Sequence, residues 1–115
     1  NGAIFCHANT WAIIAEALLG RADKAWHYYR KLVPHLALQM VGLDHYKAEP
    51  YAHVSNIIGP ENLKFGWANV TQVTGTATWM DVTATQYLLG IRPEPAGLRI
   101  APVVPSDWNG FSATR

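Results

Sequence analysis

A chain of 115 residues, half apolar and only 15% charged, has the composition of one folded domain rather than of a disordered segment. Its formal net charge is +1 and its nine basic residues are scattered, so it carries no electrostatic footprint for nucleic acid or an anionic membrane surface. A single cysteine excludes an internal disulfide, and no apolar run approaches the ~18 residues a membrane span needs.

The opening NGAIFCHANTW has neither the basic region nor the cleavage site of a secretory leader. It reads as mid-structure, which suggests part of a longer protein. Asn9 or Thr10 can cap a first helix by accepting a free first-turn amide. The run WAIIAEALLG then places Trp11, Ile14, Ala15 and Leu18 on one face, and Gly20 suits a left-handed C-terminal cap. A second helix from Ala22 or Asp23 buries Ala25, Trp26, Tyr29, Leu32 and Val33 and stops at Pro34. The short link through Gly20 predicts a helical hairpin.

Between Pro34 and Val73 helical periodicity fails, and GPEN marks a turn. Aromatic and polar side chains interleave there: His45, Tyr46, Lys47, Glu49, Tyr51, His53, Trp67 and Gln72. Such a mixture is what lines a polar-ligand site, and Glu49, Tyr51 and Gln72 are its candidate substrate-binding residues. A third helix is expected from Thr76 to Leu89, with Trp79, Val82, Thr83 and Tyr87 inward and Gly90 beyond its end. After it come a short strand at LRIAP, a turn at SDWNG and a strand beginning at Phe111.

Two positions suggest anion chemistry. Thr74-Gly75-Thr76 immediately precedes a helix, whose first amides and dipole favour an anion, while glycine permits close approach. The same triplet also suits an ordinary capped helix start. His7 lies before the first helix, where it either faces an anion or is a hydrogen-bonded structural histidine. Glu49 either holds sugar hydroxyls or acts as an acid or base, or it pairs with Lys47 or caps backbone in the loop. No histidine pair or CxxC has metal-ligand spacing, no nucleophile elbow or phosphate loop occurs, and Cys6 reads as a small buried hydrophobe.

The blocks NGAIFCHANTWAIIAEALLGRADKAWHYYRKL, YKAEPY, VTGTATWM and QYLLGIRPEPAGLRIAPVVPSDWNGF follow one another along nearly the whole chain. In that order they resemble the C-terminal part of the inverting disaccharide phosphorylases of glycoside hydrolase family 94, formerly glycosyltransferase family 36. The resemblance implies a mainly α fold. Residues 1–90 would be the last helices of an (α/α)6 catalytic barrel, and residues 91–115 the start of a small C-terminal β segment. It implies a parent enzyme in which inorganic phosphate, as co-substrate without a cofactor, cleaves a β-linked gluco-disaccharide to an α-sugar 1-phosphate. His7, Thr74 and Gly75 match the family's phosphate-binding positions, whereas the general-acid Asp and a phosphate-binding Arg belong to segments upstream of the matched blocks. Where family members often read EPYVYAQ, this chain reads EPYAHVS, so Ser55 stands in place of a sugar-contacting Gln. The expected partners are a disaccharide and phosphate, plus further copies of the chain or the missing barrel segment, in a cytoplasmic setting. The alternative is a non-catalytic carbohydrate-binding or structural helical fragment.

Overall fold

The computed structural model describes residues 2–114. A short strand, β1 (Ile4–Phe5), runs directly into α1 (Cys6–Leu18), followed by α2 (Ala22–Leu32), α3 (Pro34–Val41) and the single turn α4 (Leu43–Tyr46). Strands β2 (Val54–Ile57) and β3 (Ala68–Thr71) precede α5 (Thr76–Val82), which continues as a π-helical turn over Thr83–Leu88. A hairpin of β4 (Ile91–Glu94) and β5 (Gly97–Ile100) follows.

The expectation of a mainly α fold, and with it of the closing helices of an (α/α)6 barrel, is corrected by these elements. Helix accounts for about 43% of the chain and strand for 16%, in two small antiparallel sheets. The first sheet has the order β1-β2-β3, with Ile4 opposite Ile57 and Val54 opposite Thr71, so the N-terminal residues are tied to the middle of the chain. The second is the β4–β5 hairpin. The stretch that showed no helical period thus contains two strands, preceded by α3 and α4. Pro34 does not merely stop α2: it occupies the first turn of α3, where its fixed φ is favourable and its missing N–H costs nothing. Phe111 begins no strand.

Two apolar clusters hold these parts together. Ile13 and Ala17 of α1 meet Ala25 of α2 and Met80 and Leu88 of the last helix, with Trp26, Tyr29 and Val103 around them. The Trp26 indole donates to the Val103 carbonyl at 2.7 Å, and the Val103 amide donates to Leu88 at 2.8 Å, fastening the C-terminal segment onto the helices. The second cluster joins Cys6, Tyr46, Ala48 and Val54, with Leu38, Ile57 and Ala68 at its edge. Tyr46 is therefore core, not ligand wall. The buried face of α1 is Cys6, Thr10, Ile13 and Ala17, one position off the expected stripe, and Trp11, Ala15 and Leu18 face outward. An all-round apolar helix has no polar side to fix its rotation, so periodicity alone misplaces it.

Candidate functional site

The order β1–α1 puts His7 in the first turn of a helix whose start is held by the sheet. The link from β3 to α5 brings Thr74-Gly75-Thr76 to the same place, because α1, β2 and α5 pack on one another. The His7 ring lies directly on Gly75: a Cβ at that position would stand 2.7 Å from His7 Cε1 and 2.9 Å from Nδ1. Gly75 has φ −74° and ψ −4°, an ordinary right-handed conformation. Glycine is needed here for room beside the imidazole and not for backbone freedom.

Polar groups around this contact are unevenly satisfied. The Thr76 amide donates to Thr74 Oγ1 at 3.1 Å, and the two threonine hydroxyls lie 2.9 Å apart. Thr10 Oγ1 donates to the His7 carbonyl at 2.6 Å, which fixes the backbone beneath the ring. His7 Nε2, in contrast, is buried with no partner among the described residues. Three further rings surround the imidazole. Trp11 meets it edge-on at 5.2 Å, Trp79 lies at 6.0 Å and Phe5 at 5.8 Å, and the two indoles meet each other at 84°. Trp11 is four residues beyond His7 and Trp79 four beyond Gly75, the spacing that stacks side chains on one helix face. A helix start placed at Cys6 instead of Asn9 would have exposed the first of these pairs in the sequence.

The other expected site residues separate. Gln72, left-handed at φ 65°, stands exposed on the same β3–α5 link, two residues before Thr74. Glu49 lies in an adjoining open hollow of about 460 Å³, together with Asp44, Lys47 and Thr71. Tyr51 is 78% exposed and stands in solvent. His45 is structural: its Nε2 lies 2.7 Å from the Phe65 carbonyl, and the ring fills the space beside Gly66. Lys47 and Lys64 both approach the Trp67 ring, at 5.9 and 5.0 Å. Burial pushes the Cys6 thiol up to about 11, so no thiolate is ready beside His7. Among the described residues no three His, Cys, Asp or Glu side chains gather as a metal site, and no helix is long and apolar enough to cross a membrane.

His53 is half-buried, its Nδ1 has no partner among the described residues, and burial lowers its pKa. A depressed histidine pKa favours the folded state above the unfolded pKa of about 6.5 and loses that contribution as the pH falls through the folded value. Thermal melts of the wild type between pH 8 and pH 5 should therefore fall more steeply than those of His53→Asn. Parallel curves would show that His53 does not contribute to the pH dependence.

The residues thus combine a histidine with a buried, unpartnered nitrogen, a Thr-Gly-Thr helix start against it and a surround of aromatic rings. The chain belongs to the glycosyl hydrolase 94 superfamily: the catalytic-domain model of that superfamily matches residues 1–90. Over all 115 residues it is 42% identical to an N,N'-diacetylchitobiose phosphorylase of Vibrio proteolyticus, of which it spans 14%. It is 39% identical to a solabiose phosphorylase of Paenibacillus borealis, spanning 15% of that protein. It is also 40% identical to the cyclic beta-(1,2)-glucan synthase NdvB of Rhizobium meliloti, over 98% of this chain and 4% of that protein.

Proposed function

We propose that this chain forms the phosphate-binding wall of an inverting glycoside phosphorylase, with His7, Thr74 and Gly75 as the anion ligands. The observation that carries the reading is the unpartnered, buried Nε2 of His7 beside the Thr74-Gly75-Thr76 turn. A buried polar nitrogen without a partner costs on the order of 1–3 kcal/mol, a cost removed when a ligand accepts its proton. Thr74 fits the same role. When the Thr76 amide and hydroxyl both donate to Thr74 Oγ1, its lone pairs are filled and its own proton is left for an anion. The first-turn amides of the helix that begins at Thr76 and runs on to Leu88 add positive potential.

In the reaction, a phosphate oxygen held here attacks the anomeric carbon of a β-glycoside. The bond from that carbon to the leaving oxygen breaks, and the departing oxygen takes a proton from a general acid elsewhere in the whole protein. Attack from the opposite face inverts the centre and gives an α-sugar 1-phosphate; phosphate replaces the activated water of an inverting hydrolase. Glu49 and Gln72, bordering the phosphate wall along β3, would meet the sugar hydroxyls, and Tyr51 would reach substrate from the solvent side. The exposed faces carrying Leu18, Leu19 and Met40 would be covered by the remainder of the protein or by a second copy.

Gly75→Ala in the full-length protein tests the reading. The native φ and ψ suit alanine, so the backbone is not strained, but the new methyl must push the ring-enclosed His7 imidazole aside, and folding should lose about 1–3 kcal/mol. The phosphate KM is expected to rise about tenfold or more while the disaccharide KM holds. An equal rise in both, or no change in either, would remove the turn from the phosphate site.

A further inference from the structure

The β4–β5 hairpin contains an arrangement that the phosphate wall leaves unexplained. Arg92 and Arg99 stand directly opposite each other across the two strands. Like charges in that register repel and destabilise a hairpin unless something compensates them. The compensation is incomplete. Glu94 is the carboxylate that pairs with both among the described residues, through one oxygen, Oε1, at 3.4 and 3.5 Å. One carboxylate between two guanidiniums leaves a positive charge over, and both contacts are longer than a good charge-assisted hydrogen bond.

Both arginines line the same cavity of about 260 Å³, between the hairpin and the C-terminal end of α1. Gly20 and Gly90 form part of its wall, so backbone comes close to the space. Arg92 is only 22% exposed and lies over the Tyr87 ring at 5.2 Å, which limits where its guanidinium can go. Gln86 adds an amide to the lining. Two forked, planar cations beside a half-open space of this size can hold a tetrahedral oxyanion, with room left for a sugar attached to it. His7 is at the opposite end of α1, about 20 Å away for a helix of 13 residues.

We propose that the cavity between the end of α1 and the β4–β5 hairpin is a second anion site, in which Arg92 and Arg99 hold a phosphate group, free or carried on a sugar. Glu94 then acts as the internal competitor, occupying the arginines until the anion displaces it. The site is independent of the His7 wall and stands or falls separately.

Titration calorimetry on the full-length protein separates the two, with inorganic phosphate in one arm and α-glucose 1-phosphate in the other. Binding at the hairpin should persist in His7→Ala and weaken at least tenfold in the R92Q/R99Q double variant. Arg99→Gln alone, which leaves the ring-stacked Arg92 in place, should weaken it about fivefold and guards against a double variant that fails to fold. Glu94→Gln should tighten it about threefold, because the competing carboxylate is gone. A response to phosphate alone or to the sugar phosphate alone identifies the natural form of the ligand. The proposal is overturned if no binding survives His7→Ala, or if the arginine variants bind as the wild type does. It is overturned equally if Glu94→Gln weakens binding while lowering Tm, since the cluster would then be a structural ion pair.

Discussion

His7→Ala is expected to lower kcat/KM for phosphate by about a hundredfold in the full-length protein, with a much smaller effect on the disaccharide KM. The magnitude follows from the role proposed for Nε2, a buried donor aimed at the charge of the attacking phosphate. Removing one such preorganised donor from a water-excluded site typically costs two to three orders of magnitude. The truncation also opens space beside Gly75 and between Trp11 and Trp79, so some stability is lost through packing. Hydrolysis of the same glycoside by water is the internal control. Phosphorolysis and hydrolysis falling together would mean that the imidazole supports the fold and does not hold the anion.

Gly90→Ala is expected to destabilise the fold by about 3 kcal/mol and to lower Tm by roughly 15 °C. Gly90 has φ +71°, and a Cβ there would fall on the Ala101 carbonyl. That carbonyl cannot retreat freely, because the Ala101 amide donates to the Gly90 carbonyl at 2.9 Å and holds the chain after the hairpin against the helix end. Gly20→Ala separates the two contributions. Its φ is +70° but nothing lies within 4 Å of the added Cβ, so it should cost only the ~1 kcal/mol of left-handed strain. Differential scanning calorimetry of both variants decides the point: equal losses would mean that the close approach of Ala101 contributes nothing.

The contrast with Gly75 shows what the sequence can and cannot reveal. All three glycines precede or follow a helix, and in the sequence they look alike. At Gly20 and Gly90 the reason is a left-handed conformation, which a position after a helical run announces. At Gly75 the reason is an imidazole from a residue 68 positions earlier, and no local pattern encodes that contact. That His7 and the Thr-Gly turn belong together was legible only through the family resemblance; physics marked each position separately as one candidate for an anion. Each sits at a helix start, where an anion is favoured, and the motifs resemble one family.

The fold was harder to read. Ala25, Trp26, Tyr29, Leu32 and Val33 pack as their spacing predicts, because α2 has a polar side to set its rotation. The first sheet was invisible for the opposite reason. Its strands are two to four residues long, and VSNI and ANVT carry too few apolar positions to show a period of two. Val70, at φ 55°, interrupts even that. Leu88 was missed because the helix widens to a π turn at Thr83 and shifts the face that a uniform 3.6 period assigns, whereas Met80 lies ahead of that turn and was missed because the expected stripe ran through its neighbour Trp79. The three rings around His7 were read as core stripe or left unassigned, since a tryptophan facing an imidazole and one facing leucines look the same in sequence.

The most direct test is a crystal structure of the full-length protein grown with inorganic phosphate. The anion should lie within hydrogen-bond reach of both His7 Nε2 and the Thr74 hydroxyl, with Gly75 leaving the gap through which they meet. Phosphate bound elsewhere, with the imidazole still closed in by Trp11 and Trp79 and touching no anion, would contradict the account.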